Sequence, residues 1–452
     1  MSASTARKTA LSIVSRVRVD SAWTHDVLDT VLTKARLDVR DRSFVTRLAY
    51  GVAEMEGSLD ELIDRHVTRP GSLEPKVRDA LRLSTYEILL LDTEIRAAVH
   101  QGVELVRSVS PRAAGLANAV LRRIADTRDA SPFGDAVTDI YALARSTGHP
   151  PWLAQRLLTD LGEVAARGLM AADGDPAPLY LAHNPYAGSL EDFIGLLCSE
   201  GAEPRPFGPA GCVTCDAPAT AVNSSALSEG RGLVVDAAAQ TIASLVPLSA
   251  GDRVLDLAAG RGTKTALLQA NALRAGGPAS ILAIDIHQFK IDIIIKRMAA
   301  LGIPGVTTAV ADVTDEARLL GTSGGPVDVV FVDAPCSGIG TLRRHPEKRW
   351  RLTSDEIDTL ALLGSRMLAT AAELVRPGGF VVYSTCTVLP AENGDVVRAF
   401  LDSDSGRRFA THDVTGRLPA GFEGSVTPEG WFGSLPSRGG PDGHFAAILQ
   451  SS

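Results

Sequence analysis

The chain has 452 residues, 45% of them hydrophobic and 22% charged, and a formal net charge of −8. This is enough material for two to four soluble domains, and no stretch approaches the roughly 18 uninterrupted apolar residues that a membrane helix needs. The acidic balance argues against a uniformly basic nucleic-acid-coating protein, and five sparse cysteines argue against a disulfide scaffold.

The charge is uneven along the chain. Residues 1–150 carry 21 Lys and Arg against 20 Asp and Glu, so the acidic excess lies in the remainder. Any RNA contact must come from local basic clusters. The opening "MSASTARKTALSIVSRVRVD" is interrupted by Arg16 and Arg18, so it lacks the apolar middle of a secretory signal. A cytoplasmic protein is expected, with no membrane association.

Residues 5–126 predict helices almost throughout. "ARKTALSIVSRV", "HDVLDTVLTKARL", "DRSFVTRLAYGVAEM", "SLDELIDRHV", "PKVRDALRLSTYEILLL", "RAAVHQGVELVRSV" and "AGLANAVLRRIAD" place apolar residues at three- and four-residue spacing. Asp41 and Ser58 are candidate N-caps, and Pro75 suits a first helical turn. An all-α domain over 1–130 is expected, followed by a polar linker over 131–148. Residues 149–231 mix helical stretches with the strand-like "PLYLAHN" and predict a small α/β subdomain.

From 232 to the end, strands and helices alternate. "RVLDLAA", "SILAIDI", "VTTAVAD", "VDVVFVDA" and "FVVYSTC" are near-continuous apolar runs, as in a parallel sheet covered on both faces, and "HFAAILQ" is a final strand. The expected architecture is a doubly wound, Rossmann-like α/β domain.

"VLDLAAGRGTKTALL" reads as strand, small-residue turn and helix start. The turn runs through Leu257, Ala258, Ala259, Gly260, Arg261, Gly262, Thr263 and Lys264, where the backbone and a helix N-terminus can approach a nucleotide-like ligand. It fits neither a phosphate-loop motif nor G-x-G-x-x-G. Asp285, 25 residues after Gly260, is placed to accept ribose hydroxyls. With Asp256, Asp312 and Asp333 it puts carboxylates at one edge of four successive strands.

Two of the five cysteines follow strands at that same edge. Cys336 lies in "DAPCSGIG" and Cys386 in "YSTCTV". A cytosolic disulfide is disfavoured, and two thiols with one Asp make a poor zinc site. Exposed strand-end positions beside a cleft argue against mere packing. A thiol that adds to C6 of cytosine makes C5 nucleophilic enough to take a methyl group, and an acid near N3 stabilises the adduct. Spacing alone does not say which cysteine attacks. The C-x₂-C pair Cys212 and Cys215 lacks a second close pair and reads as incidental.

"DAPCSGIGTLRRHPEKRWR", "LVRPGGFVVYSTCTVLPAENGDVV" and "LPSRGGPDGHFAAILQ" resemble the RsmB/Sun/Fmu group of RNA 5-methylcytosine methyltransferases. "DRSFVTRLAYGVAEMEGSLDELI" and "GLANAVLRRI" resemble that group's NusB-like helical domain, and "HPPWLAQRLL" resembles the start of its middle RNA-binding subdomain. The resemblance implies S-adenosylmethionine as methyl donor and RNA as partner, with small-subunit ribosomal RNA as the substrate. It implies Cys386 as nucleophile, Cys336 in product release and Asp333 on the target base. The cofactor contacts it implies are the 257–264 turn, Asp285, Lys290, Asp312 and Asp333. The family's "CAAPGGKT" is here "AAGRGTKT", with Gly260 for Ala, Arg261 for Pro and Thr263 for Gly, and Lys290 stands where Arg is usual. No metal is expected, and a monomer is.

The basic run "RRHPEKRWR" follows the first cysteine loop. A basic run is more often a solvated face, but beside a base-modifying site Arg343, Arg344, Lys348, Arg349 and Trp350 are candidates to grip RNA. Two alternatives stand beside ribosomal RNA methylation. One is the same chemistry on transfer RNA or another RNA, and the other is a non-catalytic NusB-like binding protein.

Overall fold

The computed structural model describes residues 3–452, without the side chains of 316–318. The chain divides into two compact units, Met1–Pro176 with Leu342–Leu352, and Ala177–Thr341 with Thr353–Ser452.

The first unit is helical. Its helices are Thr5–Val19, Thr24–Lys34, Val39–Asp64, Pro75–Leu90, Ile95–Val109, Ala114–Ala125, Ile140–Ser146, Pro151–Leu161 and Glu163–Ala172, with the short Lys348–Arg351 contributed from far along the chain. The apolar stripes meet in one core that includes Ile13, Leu48, Leu59, Leu81, Val106 and Leu121, each at most 1% exposed. Pro75 opens its helix as expected.

Helix Val39–Asp64 differs from the sequence pattern in two ways. It is capped one turn early, by Asp38 accepting from the Asp41 amide at 2.7 Å. It also runs straight through Gly57 and Ser58, so two predicted helices are one. Gly57 is there for space: a Cβ would stand 2.3 Å from the Trp350 ring. The division of the chain also differs. Residues 131–148 contain helix Ile140–Ser146, and 149–176 group with the helical unit, so the α/β part begins near 177.

Part of the inserted segment's basic run is turned into the protein. Arg343 and Arg349 are buried, at 7% and 0% exposed, while Arg344, Lys348 and Trp350 are half-buried. Arg349 Nη1 donates to the carbonyls of Thr147 and Gly148 at 3.0 and 3.2 Å, closing the end of helix Ile140–Ser146. The Trp350 indole N–H donates to the Glu54 carbonyl at 2.9 Å. The Thr24 amide donates to the Glu347 carboxylate at 2.6 Å. Arg351 donates to the carbonyls of Ser21 and Ala22 and lies over the Trp23 ring. Unsatisfied backbone carbonyls at helix ends draw guanidinium donors inward, and a local charge pattern cannot reveal that.

The second unit holds two sheets. β1 (Tyr180–His183), β2 (Pro204–Pro206), β3 (Cys212–Cys215) and β4 (Gly232–Val234) form a small antiparallel sheet in the order β2-β3-β1-β4. Cys212 and Cys215 are three apart on β3, so they face opposite sides and lie in different apolar clusters. They cannot share a metal, and burial pushes the Cys212 thiol up to about 12.

The large sheet contains β5 (Arg253–Leu257), β6 (Ser280–Asp285), β7 (Val306–Val310), β8 (Val327–Asp333), β9 (Val375–Thr385), β10 (Phe409–Thr411), β11 (Phe432–Gly433) and β12 (Phe445–Ser451). Its order is β10-β12-β9-β8-β5-β6-β7, with β11 on β12. β5 to β9 pair in parallel, and β12 lies antiparallel to β9. The chain reverses direction across the sheet between β5 and β8. The crevice outside the carboxyl ends of those two strands is where such sheets bind ligands.

Replacing Arg349 by Met takes this donor from the buried Gly148 carbonyl and the part-buried Thr147 carbonyl. Denaturant unfolding should show a loss of about 2–3 kcal/mol. The salt dependence of RNA affinity should match wild type, because this guanidinium neutralises no phosphate.

Candidate active site

β5 ends in the turn that the sequence singled out. Ala258, Gly260 and Gly262 all adopt left-handed backbone angles, with φ of 60°, 61° and 75°. Such an angle at alanine costs of order 1 kcal/mol and persists only where the surroundings over-determine it. Here three amides are tied down: Ala259 to the Ile284 carbonyl at 2.8 Å, Gly260 to Asp285 Oδ2 at 3.1 Å, and Gly262 to the Ala259 carbonyl at 2.9 Å. A Cβ at Gly260 would meet only the Ala258 carbonyl, at 3.9 Å, so the backbone there is bare and open to a ligand. A Cβ at Gly262 would stand 3.0 Å from the Ile294 side chain.

Helix Thr263–Arg274 starts directly from this turn and sends consecutive side chains to two strand-end acids. Lys264 Nζ lies 2.7 Å from Asp333 Oδ2. The Thr265 hydroxyl donates to Asp256 Oδ2 at 2.6 Å. Burial pulls the Lys264 ammonium down, but the adjoining Asp333 carboxylate outweighs it, and the net shift is upward. Lys264 therefore stays charged, within electrostatic reach of both Cys386 and Cys336. Asp333 is steadied from its other side by the Ser384 hydroxyl, at 3.3 Å from Oδ1.

The four aligned carboxylates are not equivalent. Asp256 is sealed, at 0% exposed, and its Oδ1 has no hydrogen-bond partner. Asp285 is 2% exposed, accepts from the amides of Gly260 and His287, and pairs with Lys290 at 3.2 Å. Lys290 thus neutralises the acid that shapes the turn. Asp312 is exposed and accepts from the Thr314 amide and hydroxyl. Leu257 and Ala259 are buried under the turn, Arg261 is exposed, and Thr263 accepts from Arg297 at 2.5 Å.

The two cysteines come together. β8 and β9 pair with Asp333 opposite Ser384, so both following loops leave the same edge. The Cys336 and Cys386 sulfurs are 3.4 Å apart, a van der Waals contact rather than a disulfide, and both residues are partly exposed. The Cys386 amide donates to the Cys336 sulfur at 3.3 Å. Sequence reasoning missed Glu392, which binds Ser337 in the first cysteine loop, and Asn393, which binds Thr385 and Thr387 on either side of the second cysteine. The only signal was an acid and an amide in "LPAEN", directly after the second cysteine.

An open, glycine-bearing turn after the first parallel strand, an acid ending the second, and a Lys–Asp pair beside two thiols fit one class: a Rossmann-like methyltransferase. Known proteins agree. Residues 243–450 match the 16S rRNA methyltransferase RsmB/F family, and residues 4–126 match the NusB family. Rv1407 of Mycobacterium tuberculosis, which bears a methyltransferase name, is 31% identical over 473 residues, covering 98% of this chain and 96% of that one. The Salmonella typhi ribosomal RNA small subunit methyltransferase B is 30% identical over 394 residues, covering 85% of this chain and 89% of that one. The crystal structure of PH0851 shares the fold over the full length of both chains, with a TM-score of 0.81 at 24% identity.

The chain belongs to the RsmB/F methyltransferase family, with a NusB-type N-terminal domain. It is an S-adenosylmethionine-dependent RNA 5-methylcytosine methyltransferase.

Burial pushes the Asp256 carboxyl up to about 7. Its folded value lies above the ordinary 3.8, so its stabilising contribution is complete below that and is lost as pH rises through about 7. Asp256→Asn removes the titration. Between pH 5 and pH 8 its melting temperature should gain on wild type by roughly 5 °C. A pH-independent difference would contradict the buried, neutral acid.

Proposed function

We propose that this chain methylates carbon 5 of a cytosine in small-subunit ribosomal RNA, with Cys386 as nucleophile and Cys336 as the group that releases product. The observation that carries the chemistry is the 3.4 Å between the two sulfurs. C5 and C6 of cytosine are bonded neighbours, so sulfurs in van der Waals contact can address one each. The ribosomal substrate is supported by relatives such as the Salmonella typhi enzyme, which is named for it.

The bare turn at 258–262, the Asp285 carboxylate and Asp312 would hold the methyl donor. When bound, S-adenosylmethionine supplies an electrophilic methyl group on a sulfonium. The Cys386 thiolate would form a bond to C6, and the C5–C6 π pair would bond C5 to the methyl carbon as the methyl–sulfur pair stays on the donor sulfur, leaving a neutral thioether. Asp333 and Lys264 face the base as a charged pair. The carboxylate orients its polar edge, and the ammonium supports negative charge that builds on the ring during addition. The Cys336 thiolate then accepts the C5 proton. The C–H pair restores the C5–C6 double bond, and the S–C6 pair leaves with Cys386. A flipped-out base is required for both sulfurs to reach it.

One denaturing gel tests this. Cys336→Ala, Cys386→Ala and the double variant are incubated with S-adenosylmethionine and either unmodified small-subunit rRNA or bulk tRNA. The expected result is a denaturation-resistant protein–RNA adduct with Cys336→Ala on rRNA alone. An adduct only with Cys386→Ala would reverse the two roles, an adduct on tRNA would change the substrate, and no adduct anywhere would remove the covalent reading.

A further inference from the structure

Behind the two sulfurs lies a buried hydrogen-bonded knot to which none of the reaction steps above assigns a role. Glu392 closes the short turn Pro390–Glu392 after β9 and is 1% exposed. Its Oε1 accepts from the Ser337 amide at 2.7 Å, and its Oε2 accepts from the Ser337 hydroxyl at 2.5 Å. Ser337 directly follows Cys336. The Ser337 Oγ also lies 2.8 Å from Thr387 Oγ1, and Thr387 directly follows Cys386. A hydroxyl has one proton. Because Ser337 gives its proton to Glu392, Thr387 must donate to Ser337. The residue after each cysteine is therefore tied into one chain that ends on the Glu392 carboxylate.

Asn393 completes the arrangement. Its Oδ1 accepts from the Thr385 hydroxyl at 2.5 Å, and its Nδ2 donates to the Thr387 carbonyl at 3.0 Å. It thus grips the residues on both sides of Cys386. The turn itself is anchored by the Tyr383 hydroxyl, which donates to the Glu392 carbonyl at 2.7 Å. At 1% exposure Glu392 is shut away from solvent.

We propose that Glu392 is a positioning residue that holds the Cys336 loop in register with the Cys386 loop, so that Cys336 can take the C5 proton. This rests on the assignment of Cys386 to attack and Cys336 to release. Asn393 holds Cys386 without help from Glu392, so weakening Glu392 should spare bond formation and slow release.

Glu392→Gln keeps one oxygen to accept from Ser337 but turns an amide NH₂ toward a second donor. Ser337→Ala removes only the hydroxyl, and it guards against a folding defect in the first variant. Each is made with both cysteines intact, alongside Cys336→Ala, and assayed with S-adenosylmethionine and unmodified small-subunit rRNA. The expected result is a kcat lowered about 10–100-fold, KM for both substrates within about twofold of wild type, and a denaturation-resistant RNA adduct that wild type does not accumulate. Global destabilisation would lower turnover and adduct together. An adduct with Cys336→Ala but with neither Glu392→Gln nor Ser337→Ala overturns the positioning role. No adduct with Cys336→Ala overturns the assignment of the two sulfurs, and the proposal with it.

Discussion

The site depends on the parallel pairing of β8 with β9. Cys336 and Cys386 are fifty residues apart in the chain, and the pairing of Asp333 with Ser384 puts both loops at one edge of the sheet. The Ala334 amide on the Ser384 carbonyl, at 2.9 Å, and the Gly340 amide on the Cys386 carbonyl, at 3.1 Å, continue the pairing into the loops. Parallel strands end on the same side, whereas antiparallel strands would put the two cysteines at opposite ends. The loops also touch closely. A Cβ at Gly340 would stand 2.0 Å from the Gly443 carbonyl, so only glycine fits where the first loop crosses the chain entering β12.

The same edge concentrates acids, and they are handled in more than one way. Asp256 is buried and pushed toward neutrality, Asp285 is balanced by Lys290, and Asp333 is balanced by Lys264. Crowded carboxylates in a partly dry crevice repel one another and resist ionisation. Distributing one neutral acid and two ion pairs leaves the edge able to approach a cationic donor and an anionic RNA without a large charge of its own. Lys264 pairs with Asp333 and lies within electrostatic reach of both sulfurs, because it stands at the second position of the helix that leaves the turn.

In the helical unit, burial reverses the apparent meaning of charge. Arg349 is the most basic-looking choice for an RNA contact, and it is a fully buried brace across a helix end. Glu54 lies nearby, pushed up to about 7 by burial against the pull of Arg349. Trp350 needs Gly57 beneath it, which is why a helix passes through a Gly–Ser pair that otherwise reads as a break. Both residues reach their partners across roughly 200 to 300 positions of chain.

Much of the protein was legible in its sequence. Apolar spacing marked the helices and the parallel strands, because burial imposes a period on local sequence. The two cysteines, Asp333, Asp285 and the turn before Lys264 could be placed at one edge, because the ends of parallel strands share a side. Other features were decided only by tertiary structure: the sealing of Asp256, the burial of Arg349 and Trp350, the grouping of 149–176 with the helices, and the Glu392 knot. Local periodicity reports which face of an element is apolar. It carries no record of which distant carbonyl, hydroxyl or ring will meet a polar side chain once the elements pack, and those encounters decide whether a charge reaches solvent or is buried.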